Sequence, residues 1–257
     1  MEPDGEHWDK IWSREESFDE NIYFQCVVDS IIEIMGGSVR GLRVLEAGAG
    51  TGTTSLQLAI RGASPALVDY SPVAVEKMKE MFKRNKVPAS YFCEDVRALS
   101  SNNGSYDLVF NSGVLEHFPF NEQVKILAEM KRVCKPSGRV IVFTPNARCL
   151  FYRLYKWFSE KNNSWQWGEE YPVVSLNKQF TEAGLSMLGE YSTGFPESIV
   201  HLAVIDKTGL LADLVREFYD SLSFEEKNLF EGYLVCSIGA KHKKGSRLRH
   251  KLSWRCT

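Results

Sequence analysis

Apolar residues recur at two spacings along the chain, and the spacing changes where one element should give way to the next. Residues 7–17 carry Trp8, Ile11 and Trp12 on one stripe, a short amphipathic helix signal. Residues 21–35 repeat apolar positions at helical intervals and stop at Gly36-Gly37, a common helix end. Short apolar runs then alternate with amphipathic stretches. Residues 42–45 read as a first strand, 53–60 as a helix and 65–68 as a second strand. Ser71-Pro72 supplies the N-cap and first position of a helix whose Ala74, Met78, Met81 and Phe82 share a face. Residues 90–93, 106–110 and 140–143 read as three more strands, with a helix over 121–134 before the last of them. Strands alternating with helices predict an α/β fold with a doubly wound parallel sheet and ligands at the carboxyl ends of its strands.

Beyond Pro145 the alternation breaks. Residues 148–160 form a helix that is aromatic nearly all round, followed by an irregular loop with Trp165, Trp167 and Tyr171. Residues 176–184 look helical, 185–191 strand-like, 210–222 helical, and 233–240 close as a strand. No repeat and no linker composition interrupts the chain. The reading is a single domain over 1–240, with an N-terminal helical cap at 7–37, an aromatic insertion or lid at about 146–201, and a basic, flexible tail at 241–257.

Composition narrows this only slightly. With 44% hydrophobic and 25% charged residues the chain reads as an ordinary globular protein. No apolar run approaches the ~20 residues that cross a bilayer, and Glu2, Asp4 and Glu6 make the start unlike a signal peptide. Six cysteines without a CxxC pair read as free thiols, so the expected location is the cytoplasm. The net charge of −2 is uneven: Lys241 to Thr257 holds seven Lys/Arg and no acid, which leaves −9 on the rest. So acidic a body argues against nucleic acid as a partner. No His/Cys/Asp/Glu cluster has metal-ligand spacing, and no metal is expected.

The most informative stretch is Val44 to Ser55, an apolar run that breaks into Gly48, Gly50 and Gly52. Side-chain-free backbone at a helix start lets a bulky polar ligand lie on main-chain N–H groups. A dinucleotide site would carry Gly-x-Gly-x-x-Gly, but Thr53 stands where its third glycine belongs. Glu46, two residues before the first glycine, would repel a pyrophosphate and tolerate an ammonium or sulfonium.

Five segments in order then resemble the class I S-adenosylmethionine-dependent methyltransferases. They are Val-Leu-Glu-Ala-Gly-Ala-Gly-Thr-Gly (44–52), Leu-Val-Asp-Tyr-Ser (67–71), Cys-Glu-Asp-Val (93–96), Tyr-Asp-Leu-Val-Phe-Asn-Ser-Gly-Val-Leu-Glu-His-Phe (106–118) and Glu-Met-Lys-Arg-Val-Cys-Lys-Pro-Ser-Gly-Arg-Val (129–140). The Leu-Glu-His form is most similar to the small-molecule branch that includes quinone-biosynthesis enzymes. The resemblance implies a mostly parallel seven-stranded sheet with helices on both faces and an antiparallel last strand. It also implies S-adenosylmethionine as cofactor and S-adenosylhomocysteine as product. On that resemblance Asp69 binds the ribose hydroxyls, Asp95 and Val96 the adenine, and Tyr70 packs against the adenine. Glu46, Gly48, Ala49, Gly50 and Gly52 lie beneath the methionine part, and Asn111 and Ser112 end strand four beside the transfer site.

Methyl transfer from a sulfonium is an in-line displacement that needs proximity, alignment and a dry pocket. A base is required only where the acceptor must lose a proton, and His117 is the candidate. The acceptor, a small and aromatic or apolar molecule, is expected against Trp12, Trp157, Trp165 and Trp167. Strand four lacks both the paired acids of metal-dependent catechol-type enzymes and the Asn/Asp-Pro-Pro-Tyr/Phe run of nucleobase and amide methyltransferases. Two alternatives stay open: a nicotinamide-dependent oxidoreductase, and a non-catalytic S-adenosylmethionine-binding module.

Overall fold

The computed structural model describes residues 5–13 and 21–241; the expectations for the basic tail and for residues 14–17 of the first helix lie outside them. Helices α1 (Gly5–Trp12) and α2 (Asn21–Ile34) precede strand β1 (Arg43–Ala47). Then come α3 (Thr53–Ile60), β2 (Ser64–Asp69), α4 (Pro72–Arg84), β3 (Ser90–Cys93), β4 (Tyr106–Ser112), α5 (Phe120–Val133) and β5 (Cys134–Pro145). The remainder comprises α6 (Leu150–Lys161), α7 (Asn177–Glu182), β6 (Leu185–Thr193), the short α8 (Phe195–Ser198) and α9 (Leu202–Ile205), α10 (Leu210–Ser221), α11 (Phe224–Lys227) and β7 (Leu234–Lys241).

The strands form one sheet in the order β3-β2-β1-β4-β5-β7-β6. The first five pair in parallel, and β7 runs antiparallel to both β5 and β6. This is the doubly wound, seven-stranded arrangement expected. Alternate strand residues divide the core between two faces. Leu45, Val68, Val109 and Val142 pack with Ile126, Met130 and Phe180 from α5 and α7. Val44, Leu108, Phe110 and Ile141 pack with Val27, Val28, Ile31 and Leu58 from α2 and α3. Ser71 Oγ caps α4 by accepting from the Ala74 N–H at 3.1 Å, with Pro72 at the first helical position. Among the described residues no helix is long and apolar enough to cross a membrane.

The expected insertion over 146–201 is divided. Residues 185–193 form β6, which pairs with β7 as a full member of the sheet, so the added layer consists of 146–184 and 194–233. Most of β6 is half-buried on both faces, and this is why its sequence lacks a clean two-residue alternation. Residues 195–205, read as neither helix nor strand, wind into short helical turns around the buried Ile199 and Leu202.

Candidate functional site

Chain order reverses between β1 and β4, where β2 lies to one side and β5 to the other. Open α/β sheets form their ligand crevice outside the carboxyl ends of the strands at such a point. Two loops flank it: the glycine loop after β1 and the turn 113–118 after β4.

All three glycines of the first loop adopt positive φ, 79° at Gly48, 54° at Gly50 and 76° at Gly52. Any Cβ there would collide: 2.6 Å from Val114 Cγ2 at Gly48, 2.7 Å from Trp12 Cη2 at Gly50 and 2.5 Å from Leu67 Cδ2 at Gly52. Glycine is therefore required for conformation and for close approach together. The loop amides are less open to a ligand than the sequence suggested. Gly48 and Ala49 N–H both donate to Val68 O at 2.8 Å, Gly52 N–H to Ala49 O at 2.7 Å, and Gly50 N–H to Asp69 Oδ2 at 2.8 Å. Three of these donors tie the loop to β2 and the fourth closes the loop on itself, while Val114, Trp12 and Leu67 press on its Cα atoms.

Three acids expected at the site stand in different electrical surroundings. Glu46, 4% exposed, accepts from the Ser55 N–H at 3.2 Å, and burial pushes its carboxyl up to about 8, with nearby Asp69 adding to the rise. Asp69 accepts from Gly50 N–H and from Ser71 N–H at 2.9 Å, yet burial still holds it above the usual carboxylate range. Asp95 differs. Burial raises it, but Arg97 binds both its oxygens at 2.8 to 3.0 Å and the net direction is down. Val96 beside it is buried, and the half-exposed Tyr70 packs against Gly5.

At the end of β4, Asn111 is fully buried; its Nδ2 faces Met130 Sδ at 3.5 Å and its Oδ1 has no hydrogen-bond partner. Ser112 follows, half-buried, then Gly113 with φ of 71°. His117 is buried too. Its Nδ1 lies 3.1 Å from Glu169 O, Trp8 closes on it edge-on at 5.1 Å, and burial pushes its imidazole down to about 4. At neutral pH the ring is uncharged, with the Nδ1–H donating to that carbonyl.

The N-terminal helix covers both loops. Asp9 accepts a short hydrogen bond from Ser71 Oγ, Trp8 and Trp12 stack at 6.4 Å, and Trp12 meets Trp167 at 6.5 Å. Trp165 donates from Nε1 to Gly168 O at 2.7 Å and joins Tyr152, Tyr155 and His201 in a second aromatic group. Trp12 and Trp167 thus gather over the glycine loop. Trp165 stands among the residues behind it, and Trp157 is 55% exposed on α6 with Lys161 over its ring. Sequence reasoning passed over Asp9, Glu116 and Glu170. For Glu116 a signal existed: an acid enclosed by Val114, Leu115 and Phe118, in a run otherwise apolar.

Comparison with known proteins agrees with this geometry. A family model described as a methyltransferase domain matches residues 44–138. The demethylmenaquinone methyltransferase of Renibacterium salmoninarum is 37% identical over 118 residues, 46% of this chain and 45% of that protein. The ubiquinone biosynthesis O-methyltransferase of Coxiella burnetii is 27% identical over 109 residues, 42% of this chain and 46% of that protein. The chain therefore spans about half the length of the curated relatives it matches. Magnesium protoporphyrin IX methyltransferase from Synechocystis, solved with bound SAH, superposes with a TM-score of 0.59 at 18% identity, over 92% of this chain and 93% of that one. Residues 44–138 are thus similar to a methyltransferase domain, and the chain around them has the Rossmann-like fold of the solved magnesium protoporphyrin IX methyltransferase.

Proposed function

We propose that the protein moves a methyl group from S-adenosylmethionine to a small, aromatic or apolar acceptor. The observation that carries this reading is Glu46, a carboxyl group buried beside the glycine loop that accepts from a backbone N–H and pairs with no cation among the described residues. An ammonium group is the complement such a site lacks, since a cation beside it favours the ionised carboxylate, which a pyrophosphate would not do. Asp69 fits the same ligand, since its two oxygens retain lone pairs for a vicinal diol beyond the two N–H groups they accept. Tyr70, Asp95 and Val96 are assigned to the adenine. Asp95 binds there with the lone pairs that Arg97 leaves. Asn111 and Ser112 border the transfer site.

The cofactor supplies a methyl carbon already activated by the sulfonium, so the chain's own work is to position and to exclude water. Glu46 and Asp69 hold the two polar ends, the glycine loop permits close approach, and Trp8 and Trp12 close α1 over the crevice. His117 acts as a neutral imidazole that ties the β4 turn to Glu169. Trp12, Trp165 and Trp167 supply flat apolar surface for the acceptor. The relatives named for menaquinone and ubiquinone biosynthesis support an aromatic acceptor, and the acidic body supports a small molecule over nucleic acid. Calorimetric titration with S-adenosylmethionine, S-adenosylhomocysteine and NAD tests the reading. Micromolar binding of the first two is expected, and NAD binding with silence from the other two would refute it.

A further inference from the structure

The turn after β4 holds a carboxyl group that no other group among the described residues completes. Glu116 is 3% exposed, its Oε2 has no hydrogen-bond partner, and its Oε1 lies 4.0 Å from His117 Nε2. The backbone around it is well used, since Glu116 O accepts from Tyr171 N–H at 2.6 Å. The side chain alone is left over. Leaving a buried polar group unsatisfied is costly, and more so when it is charged.

Its position suggests what it awaits. Gly113 is the residue nearest the end of β4, and a Cβ there would lie 3.6 Å from Glu116 Oε1. Val114, next along, packs directly on Gly48. Glu116 therefore stands on the β4 side of the switch-point crevice, across from the glycine loop. The titratable groups facing it are the neutral His117, Glu170, whose charge opposes its ionisation, and Tyr152, whose hydroxyl donates to Glu170 Oε1 at 2.6 Å. Behind these, Lys156 lies 4.1 Å over the Trp165 ring and pairs with Glu160. Around Glu116 the groups are acceptors or donors already engaged, so its complement is a proton donor brought in by a ligand.

We propose that Glu116 is a catalytic residue, which takes the proton from a protic nucleophile, a ring hydroxyl or an amine, on the methyl acceptor. This rests on the reading of the chain as an S-adenosylmethionine-dependent methyltransferase. In the step, a lone pair of the nucleophile forms the bond to the methyl carbon, and the carbon–sulfur bond breaks with its electron pair going to sulfur. The nucleophile's proton passes to the Glu116 carboxylate. The reactants carry one positive sulfonium and one negative carboxylate; the products are a thioether, a methylated acceptor and a carboxylic acid, all neutral. Burial holds Glu116 well above the usual carboxylate range, which makes it a stronger base than an exposed glutamate.

The test uses the full chain and its Glu116→Gln and Glu116→Leu variants, with a phenol, a dihydroxynaphthalene and an arylalkylamine as probe acceptors. At least one probe is expected to be methylated, with kcat falling by about 10²–10⁴ in both variants. The rise of kcat/KM with pH should vanish with the carboxylate. Affinity for S-adenosylhomocysteine should stay within twofold, and the melting temperature should hold or rise, because no side-chain partner among the described residues depends on the Glu116 carboxyl. A structural role predicts the reverse, a melting temperature lowered by several degrees with activity lost in proportion, and that result overturns the proposal. So does activity within threefold of wild type, or methylation of none of the probes by protein that binds the cofactor. Failure to bind the cofactor at all sinks the reading of the chain as a methyltransferase instead.

Discussion

If Glu46 holds the cofactor as proposed, affinity should depend on pH in a direction fixed by its burial. Its carboxyl titrates at about 8 in the folded chain because burial disfavours the charge, against 4.5 for an exposed glutamate. If the ionised form is the one that holds an ammonium, binding below pH 8 must first release a proton. At pH 7 only about a tenth of the molecules are ionised, so affinity lies about tenfold, or ~1.4 kcal/mol, under its limit. At pH 6 the deficit is about a hundredfold. The dissociation constant for S-adenosylhomocysteine should thus fall about tenfold from pH 6 to pH 7 and level off above pH 8. Isothermal titration in two buffers of different ionisation heat should detect close to one proton released per ligand at the low end. The Glu46→Gln variant should lose both slope and proton release, and its difference from wild type cancels titration of the ligand's own amine. A wild-type dissociation constant that stays flat between pH 6 and pH 8.5 refutes the reasoning. The same shift acts on folding: between 4.5 and 8 the unfolded chain has given up a proton that the native state keeps, so rising pH removes stability from wild type and not from the glutamine variant.

Asp69→Ala should weaken cofactor binding at least tenfold, about 1.4 kcal/mol, and also lower the melting temperature, since Gly50 and Ser71 N–H lose their acceptor. Unchanged affinity would leave Asp69 as a tie for the loop and nothing more. Gly52→Ala places a methyl group 2.5 Å from Leu67 Cδ2 at a φ of 76°. Strain and overpacking together should cost roughly 2–5 kcal/mol, readable as a melting temperature lowered by roughly 5–15 °C. His117 and His201 both titrate near 4 through burial, well below the unfolded value of 6.5. Their contribution to stability is intact above pH 6.5 and lost as pH falls toward 4, so a His201→Phe variant should unfold at lower pH than wild type in an acid titration followed by circular dichroism.

The half of the molecule that is built from consecutive βα units is legible because each decision there is local. Gly48, Gly50 and Gly52 declare their loop by spacing, Ser71-Pro72 declares the start of α4, and the apolar runs of β1, β2 and β4 are as long as buried parallel strands should be. The later half depends on contacts between distant segments. Residues 185–191 read as a strand from their own pattern, but only their pairing with the distant β7 makes them a member of the main sheet rather than part of the insertion. Leu-Glu-His at 115–117 shows the same limit at single-residue scale. The sequence draws attention to His117 as the titratable group near neutrality, but Glu169 and Trp8, both remote in the chain, decide that the imidazole is neutral and enclosed. The side chain left without a partner is its neighbour.

A distinction among the acids follows from their partners. Asp95, Asp107 and Glu129 each bind a cation, Arg97, Lys135 and Arg132 respectively, and each is held below the ordinary carboxylate range despite burial. Such pairs balance their charge within the chain, Asp95 keeping only lone pairs for a neutral donor. Glu46, Asp69 and Glu116 stand close to the switch-point crevice, and each is raised. The bonds they receive come from backbone N–H groups, and Glu116 Oε2 receives none. Three uncompensated carboxyl groups on one edge of a sheet weaken the empty fold as pH rises, and hydrophobic residues of similar size would pack there without that cost. Their clustering is accounted for if the missing positive charge and the missing proton donor both arrive with ligands. The cationic ligand then belongs on the glycine-loop side, at Glu46 and Asp69, and the protic one on the β4 side, at Glu116. That division assigns donor and acceptor to opposite walls of the crevice, the arrangement an in-line transfer between them requires.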